Sequence, residues 1–415
     1  MFTKPAENLR PTSEVVAVEA AIAKSIDYCR ANDWAGHDPY DALNSPVFRI
    51  APFLDRRIPR LVFTQALKRS PIDFRRILQI PKVQNPKGLA LFLSAFLTLE
   101  RVNPGSHQAD VRYMIDRLKA LRSPGEDYWC WGYSFPWQTR TIIVPSGTPN
   151  LVCTTFVANS LLDAFEERGD SQCLEMATSA ASYILDKLYW TDDSAVGFSY
   201  PLPSLRSHVH NANLLAAALL CRVYTHTKNE KLLPPALQVA RYSASKQNQD
   251  GSWFYGEAPS QKWIDNFHTG YNLGALQQIG KYANTRDFDS AVSRGFEFYR
   301  KHFFRGDGSV RYFHDRDYPI DVHCVAQSII TLLGFNDEGG VHLQVAQSVL
   351  RWALAHMWDN KGFFYYRKQR TYTDRTSYMR WSQAWMLLAM AMLCETSKCL
   401  GASRPSRGLA EVAHD

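Results

Sequence analysis

With 415 residues, 46% of them hydrophobic and 13% aromatic, the chain has material for a large core and is longer than the roughly 150 residues of a usual domain. Its 47 Lys and Arg against 40 Asp and Glu leave a net charge of +7. That is too dilute for the basic stripe of a dedicated nucleic-acid binder, yet compatible with an acidic substrate.

No leader-like apolar stretch stands near the N-terminus, and the longest apolar run, Ala384–Cys394, is short of the roughly 20 residues a transmembrane helix needs. Eight cysteines without a CxxC pair read as reduced, mostly buried thiols. The expected location is therefore cytoplasmic. Along the chain, Glu14–Ala31 reads as an outer amphipathic helix, and Ile58–Ser70 and Gly88–Val102 as candidate inner helices.

From there a repeat takes over. Its first landmark is a turn and a short aromatic strand, as in Gly132–Phe135, Gly197–Tyr200, Asp250–Tyr255, Asp307–Tyr312 and Asn360–Tyr365. Gly beside Asp or Asn supplies the turn, and the alternating rings lie on one side of an extended segment. The second landmark is an amide within an apolar helix. Asn159, Asn213, Asn272, Gln327 and Gln383 lie 54, 59, 55 and 56 residues apart.

The helices at these amides, such as Leu214–Val223 and Trp385–Cys394, are apolar nearly all round and read as buried inner helices. Between them, Val111–Leu121, Leu174–Leu188, Leu232–Ser245, Phe288–His302 and Leu343–Met357 have the three-and-four spacing of amphipathic outer helices. This alternation predicts an all-α fold, an (α/α)6 toroid of six or seven hairpins. An open solenoid is the alternative, but no end repeat has the polar face a cap needs. Residues 1–402 read as one domain and 403–415 as a disordered tail.

In such a fold every outer-to-inner connection opens on one rim, and that rim collects the polar and aromatic residues. The first loop offers Trp131, Trp137 and Arg140, as sugar-stacking faces or as a packed lid. The second holds Tyr200, Arg206, His208, His210 and Asn211. Its His-x-His lacks further ligands at local spacing, so a base or a hydroxyl-binding histidine is preferred to a metal.

The third loop holds Tyr255, Trp263, Asp265, His268 and Tyr271, and the fourth Tyr312, Asp321 and His323. The fifth holds Tyr365, Arg375, Tyr378, Arg380 and Trp381, with an arginine excess suited to carboxylate or phosphate. Asp265…His268 and Asp321…His323 repeat at matching places before their amides. They fit acid/base work if crowded together, or helix N-caps.

Several segments resemble motifs of bacterial proteins encoded beside exopolysaccharide-biosynthesis enzymes. They are Trp34…Asp38–Ser45, Trp263–Asn272, Tyr318–His323 and Met379–Met386. The resemblance implies a polysaccharide pathway and a toroid like those of glucuronyl C5-epimerases and N-acylglucosamine 2-epimerases, and supplies no catalytic residues. Gln247–Trp253 also resembles the Gln…Trp repeat of triterpene cyclases, whose acidic catalytic run is absent here; Asp315-Arg316-Asp317 is a poor match.

The expected activity is proton abstraction beside the carboxylate of a uronate-containing glycan, with Arg375 or Arg380 on the carboxylate. His210, His268, His323, Tyr271 or Tyr378 would move the proton, with no metal and no external cofactor. The alternatives are a glycoside hydrolase using Asp265 and Asp321, and a non-catalytic glycan-binding scaffold. Association with membrane-bound polysaccharide machinery stays open.

Overall fold

In a computed structural model of the chain, residues 11–139, 142–335 and 340–402 are described. Arg140 and the expected tail from 403 lie outside them. In chain order the helices are α1 (Pro11–Ala31), α2 (Val47–Ile50), α3 (Arg57–Arg69), α4 (Pro86–Val102), α5 (Gln108–Ala120), α6 (Leu151–Arg168) and α7 (Ser171–Tyr183). They continue as α8 (His210–Thr227), α9 (Leu233–Ser245), α10 (Asn266–Tyr282), α11 (Asp289–Phe303), α12 (Val322–Gly334), α13 (Val341–His356) and α14 (Ala384–Ala402).

The apolar helices α4, α6, α8, α10, α12 and α14 pack each on the next, and α14 packs back on α4. The ring is closed, and it is not a solenoid. Outside it lie α5, α7, α9, α11, α13 and α1, resting respectively on α4, α6, α8, α10, α12 and α14. The hairpin count is six, with α1 supplying the outer helix of the last one. The fold is an (α/α)6 toroid.

Short aromatic strands stitch the outer layer. Tyr189–Thr191 pairs with Val196–Phe198, and Trp358–Asp359 with Phe363–Phe364, both antiparallel. The landmark glycines Gly251, Gly308 and Gly362 all have positive φ. A Cβ on them would strike the backbone of α11, α13 and α1 at Arg294, Ser348 and Lys24. Glycine is needed there twice over, for the turn and for the close approach of the next outer helix.

In two copies the amide landmark has a structural task. Asn213 Oδ1 accepts the Phe198 N–H at 3.0 Å, and Gln383 clasps both the N–H and the C=O of Phe364, whereas Gln327 donates to Thr331 within its own helix. In the first copy Thr154 does the same for Trp131, so Asn159 is out of register with the other clips.

One helix reading is corrected. Ile58–Ser70 forms α3, which is no part of the inner ring. It leans on the rim, where Leu67 joins Ala42 and Ile80 in a small separate cluster. Cys29, Cys130, Cys153, Cys173, Cys221, Cys324 and Cys394 are buried free thiols. Among the described residues no helix is long and apolar enough to cross a membrane.

Candidate active site

Alternation of inner and outer helices puts all six inner N-termini at one mouth, where their partial positive charges converge. The residues that cap and open these helices therefore meet. Side chains from five of them close the ring's axis. Phe156 of α6, Tyr271 of α10 and Trp385 of α14 lie 5.4–5.8 Å apart by ring centroid. His323 of α12 stacks on Trp385 at 4.6 Å. Lys87 of α4 places Nζ 4.0 Å from the Phe156 ring centroid.

Asp265 is the N-cap of α10 and is buried. Its Oδ1 accepts the His268 N–H at 3.0 Å, while Oδ2 accepts the Trp263 indole N–H at 2.9 Å and lies 2.7 Å from His268 Nδ1. With a carboxylate at Nδ1, the favoured tautomer carries its proton there and leaves Nε2 as the free base. The His268 side chain is 19% exposed, and Nε2 has no partner among the described residues. Tyr255 stacks on Trp263 at 4.5 Å and 11° and covers His268 at 4.6 Å.

Next to this pair, Tyr271 Oη lies 2.7 Å from His323 Nε2. The His323 ring is buried between Phe267 and Trp385, with Trp381 edge-on. Burial, and then the cations Lys87 and Arg380, push it well below the usual histidine range. It is therefore neutral, and its tautomer decides whether Nε2 accepts from or donates to the tyrosine hydroxyl. The His268 and Tyr271 rings stand 6.1 Å apart, so two hydrogen-bonded pairs share the mouth.

Asp321, the N-cap of α12, is committed elsewhere. It accepts the His323 N–H and the Trp381 indole on Oδ1, and Arg367 from two nitrogens on Oδ2 at 2.8 and 3.1 Å. Its side chain is fully enclosed. Arg380 is likewise committed, paired to buried Asp38 at 2.6 and 2.8 Å within the π-helical turn Met379–Gln383. These bonds use its Nε and Nη2, and Nη1 has no hydrogen-bond partner among the described residues.

Other expected site residues divide into wall and core. Tyr200 and Tyr312 are half-buried with phenols raised by burial. Trp381 edges the wall. Trp137 packs edge-on to Tyr133, with its indole N–H buried and unpartnered among the described residues. Asn211 keeps a buried Oδ1 that likewise has no partner among them.

Trp131 is core: fully buried, it gives its indole N–H to Leu118 O at 2.7 Å and offers no face to a sugar. Tyr378 is core as well, 1% exposed between Tyr366 and Arg75. His208 packs between Trp190 and Tyr242, and Arg206 lies exposed over Trp190. His210 opens α8 buried, and loss of hydration lowers it to about 4. Tyr365 donates to Asp359, beneath an exposed Arg375 that has no ion-pair partner among the described residues. No group of three His, Cys, Asp or Glu suited to a metal occurs among the described residues.

Lys87 was not anticipated. It sits just inside the N-terminus of α4, 4% exposed, with no hydrogen bond or ion pair to its ammonium group among the described residues. Burial, and then Arg380, push it well below the ordinary lysine range. A lone charge immediately before the mostly apolar run Gly88–Leu99 was the available signal.

No protein-family model matches the chain, and no curated protein matches it in sequence. Solved structures match in fold. A GH76 α-mannanase from Bacteroides thetaiotaomicron is 12% identical over 78% of this chain and 90% of its own, at a TM-score of 0.61. Cellobiose 2-epimerase from Bacillus thermoamylovorans is 13% identical over 76% and 88%, at 0.59. Unsaturated glucuronyl hydrolase from Streptococcus agalactiae is 11% identical over 93% of both chains, at 0.57. At such identities the likeness is one of fold.

Proposed function

We propose that the chain is a carbohydrate-active enzyme that moves a proton beside the carboxylate or carbonyl of an acidic sugar, giving epimerisation or β-elimination. The observation behind this is the Asp265–His268 pair, with its open Nε2, adjoining the Tyr271–His323 pair at the mouth of the ring. The C–H bond breaks, its proton goes to His268 Nε2, and its electron pair spreads into the neighbouring carboxylate or carbonyl. Negative charge there is favoured by Lys87 and by six helix N-termini, in place before the reaction. In epimerisation Tyr271 Oη gives its own proton to the carbanion from another direction, and the resulting phenolate and the protonated His268 are reset by proton exchange with solvent; in elimination a β-substituent leaves with the electron pair instead.

Tyr200, Tyr255, Trp263 and Tyr312 supply half-buried rings for sugar faces and edges. Epimerase and glucuronyl hydrolase activities stated for proteins of this fold are in keeping with the proposal, and the exopolysaccharide context rests on the sequence motifs. The paired-aspartate hydrolase reading is weaker, because Asp321 is sealed by Arg367 and Trp381.

The test is incubation of the chain with uronate-containing oligosaccharides in D2O, followed by NMR. Epimerisation should carry deuterium into the carbon next to the carboxylate or carbonyl, elimination should leave an unsaturated sugar, and His268→Ala should abolish either. Turnover that gives neither deuterium entry nor an unsaturated product would overturn the proposal.

A further inference from the structure

The net charge and the exposed apolar surface concentrate in one place. Residues 46–80 carry eight Lys or Arg against two Asp, a surplus of six in a chain whose total is +7. The same stretch holds seven of the ten large apolar side chains found exposed among the described residues, including Ile50 at 80%, Phe53 at 70% and Ile77 at 77%.

Helix α3 is amphipathic the wrong way round. Its exposed residues are Arg57, Ile58, Val62, Ala66 and Arg69. The last four follow a four-four-three spacing, so they form one solvent-facing stripe. The opposite side buries Thr64 and Leu67 and sets Phe63 on Phe48. Both acids of the segment are spent within it, Asp55 on Arg60 and Asp73 on Arg75. Arg49, Arg56, Arg57, Arg69 and Arg76 are exposed with no ion pair among the described residues.

We infer that residues 47–80 form an interfacial anchor that docks the toroid on an anionic phospholipid bilayer. A patch of isolated Ile, Phe and Val costs solubility and gains nothing in a freely diffusing protein. Apolar side chains ringed by unpaired arginines suit the acyl–headgroup boundary, where the rings and branched chains enter and the guanidinium groups meet phosphate. An apolar protein partner would not call for the unpaired arginines.

The anchor also adjoins the active-site rim. Arg60 donates to Gln138, Tyr372 donates to the Arg69 carbonyl, and Lys68 reaches Tyr40, which lies against Trp381. Docking would therefore hold the mouth close to the bilayer surface. This inference rests on surface residues that take no part in the proposed chemistry, so it stands or falls apart from that chemistry.

The experiment is co-sedimentation of the full chain with sucrose-loaded vesicles of phosphatidylcholine alone or with 30% phosphatidylglycerol. Binding should require phosphatidylglycerol and weaken in 1 M NaCl. It should fall at least tenfold in Phe53→Ser/Ile58→Ser/Val62→Ser, and about fivefold for each of Arg56→Gln and Arg57→Gln. Thermal melting checks that each variant folds. Equal pelleting with and without phosphatidylglycerol, or undiminished binding by the folded triple variant, overturns the inference. So does a lipid-free dimer of the unmodified chain that the triple variant makes monomeric, for then a second copy covers the patch.

Discussion

Two neighbouring inner helices begin with almost the same words and end with different chemistry. Asp265 and Asp321 both cap their helices, and both accept a tryptophan indole N–H. The difference is one residue of spacing. His268 is the third residue after its aspartate, where a side chain can fold back on the cap as in a capping box, and its ring meets Asp265. His323 is the second residue after Asp321, so its ring turns inward to Tyr271, and the vacant carboxylate oxygen is taken by Arg367. One copy leaves an oriented imidazole open, and the other locks a carboxylate and seals an imidazole. A repeat can thus keep its helix caps constant and vary function through the residues that reach back to them.

Removing each aspartate should separate these roles most sharply. His268→Ala should lower turnover by about 10²–10⁴, the usual worth of a positioned acid or base. Asp265→Asn should do nearly as much, with the helix still capped, because the amide no longer selects the Nδ1–H tautomer. Deuterium exchange into the sugar measures the first, and imidazole ¹⁵N shifts report the tautomer without any substrate.

Asp321→Asn should instead cost about 3–5 kcal/mol of stability, because it strands buried Arg367. Pairing it with Arg367→Met should recover much of that loss in a thermal-melt double-mutant cycle. Equal loss of turnover in folded Asp265→Asn and Asp321→Asn would erase the distinction.

Acid sharpens the contrast between open and sealed histidines. An unfolded histidine takes its proton near pH 6.5, whereas buried His210 takes one only at about 4. Between those values the unfolded chain binds more protons, so stability falls as pH falls, by about 3 kcal/mol from this ring alone, and the loss is complete below pH 4. His323 adds a loss in the same direction that begins at the same upper limit. His210→Gln should flatten the melting-temperature profile between pH 6.5 and 4 while leaving the His323 share. An unchanged slope would mean that His210 is not held neutral in the fold.

The ring was legible in the sequence because it is built from local patterns: apolar helices, amphipathic partners and glycine turns at a fixed period. Asp265 and His268 were legible for the same reason, since a cap and its third residue are near neighbours in the chain. What could not be read were long-range commitments. Arg380 looked free because its partner, Asp38, is 342 residues away, and Arg367 and Asp321 are 46 apart. Trp131 and Trp137 share one loop, and only packing decides that the first is core and the second a wall. Ile58–Ser70, a candidate inner helix by sequence, is α3 on the rim, and an apolar period alone does not say which side faces water.

Lys87 is the residue on which the contrast between satisfied and unsatisfied charge turns. Asp38, Asp265 and Asp321 each have a cationic or imidazole partner at the mouth, and Lys87 has no ion-pair partner among the described residues. In the unliganded ring its amine is pushed well below the normal lysine range. An anion bound beside it would favour the charged form and draw a proton from solvent. Lys87→Met keeps most of the stem against Phe156 and removes the amine. It should weaken an acidic sugar by about 1.5–3 kcal/mol, the range for a hydrogen bond to a charged group, and leave its neutral counterpart unchanged. Calorimetry in buffers of different ionisation enthalpy should show proton uptake on binding by the unmodified chain and none by the variant. Equal weakening of acidic and neutral sugars would mean that Lys87 shapes the floor of the mouth without reading charge. The preference for an acidic substrate would then lose its support at the centre of the ring.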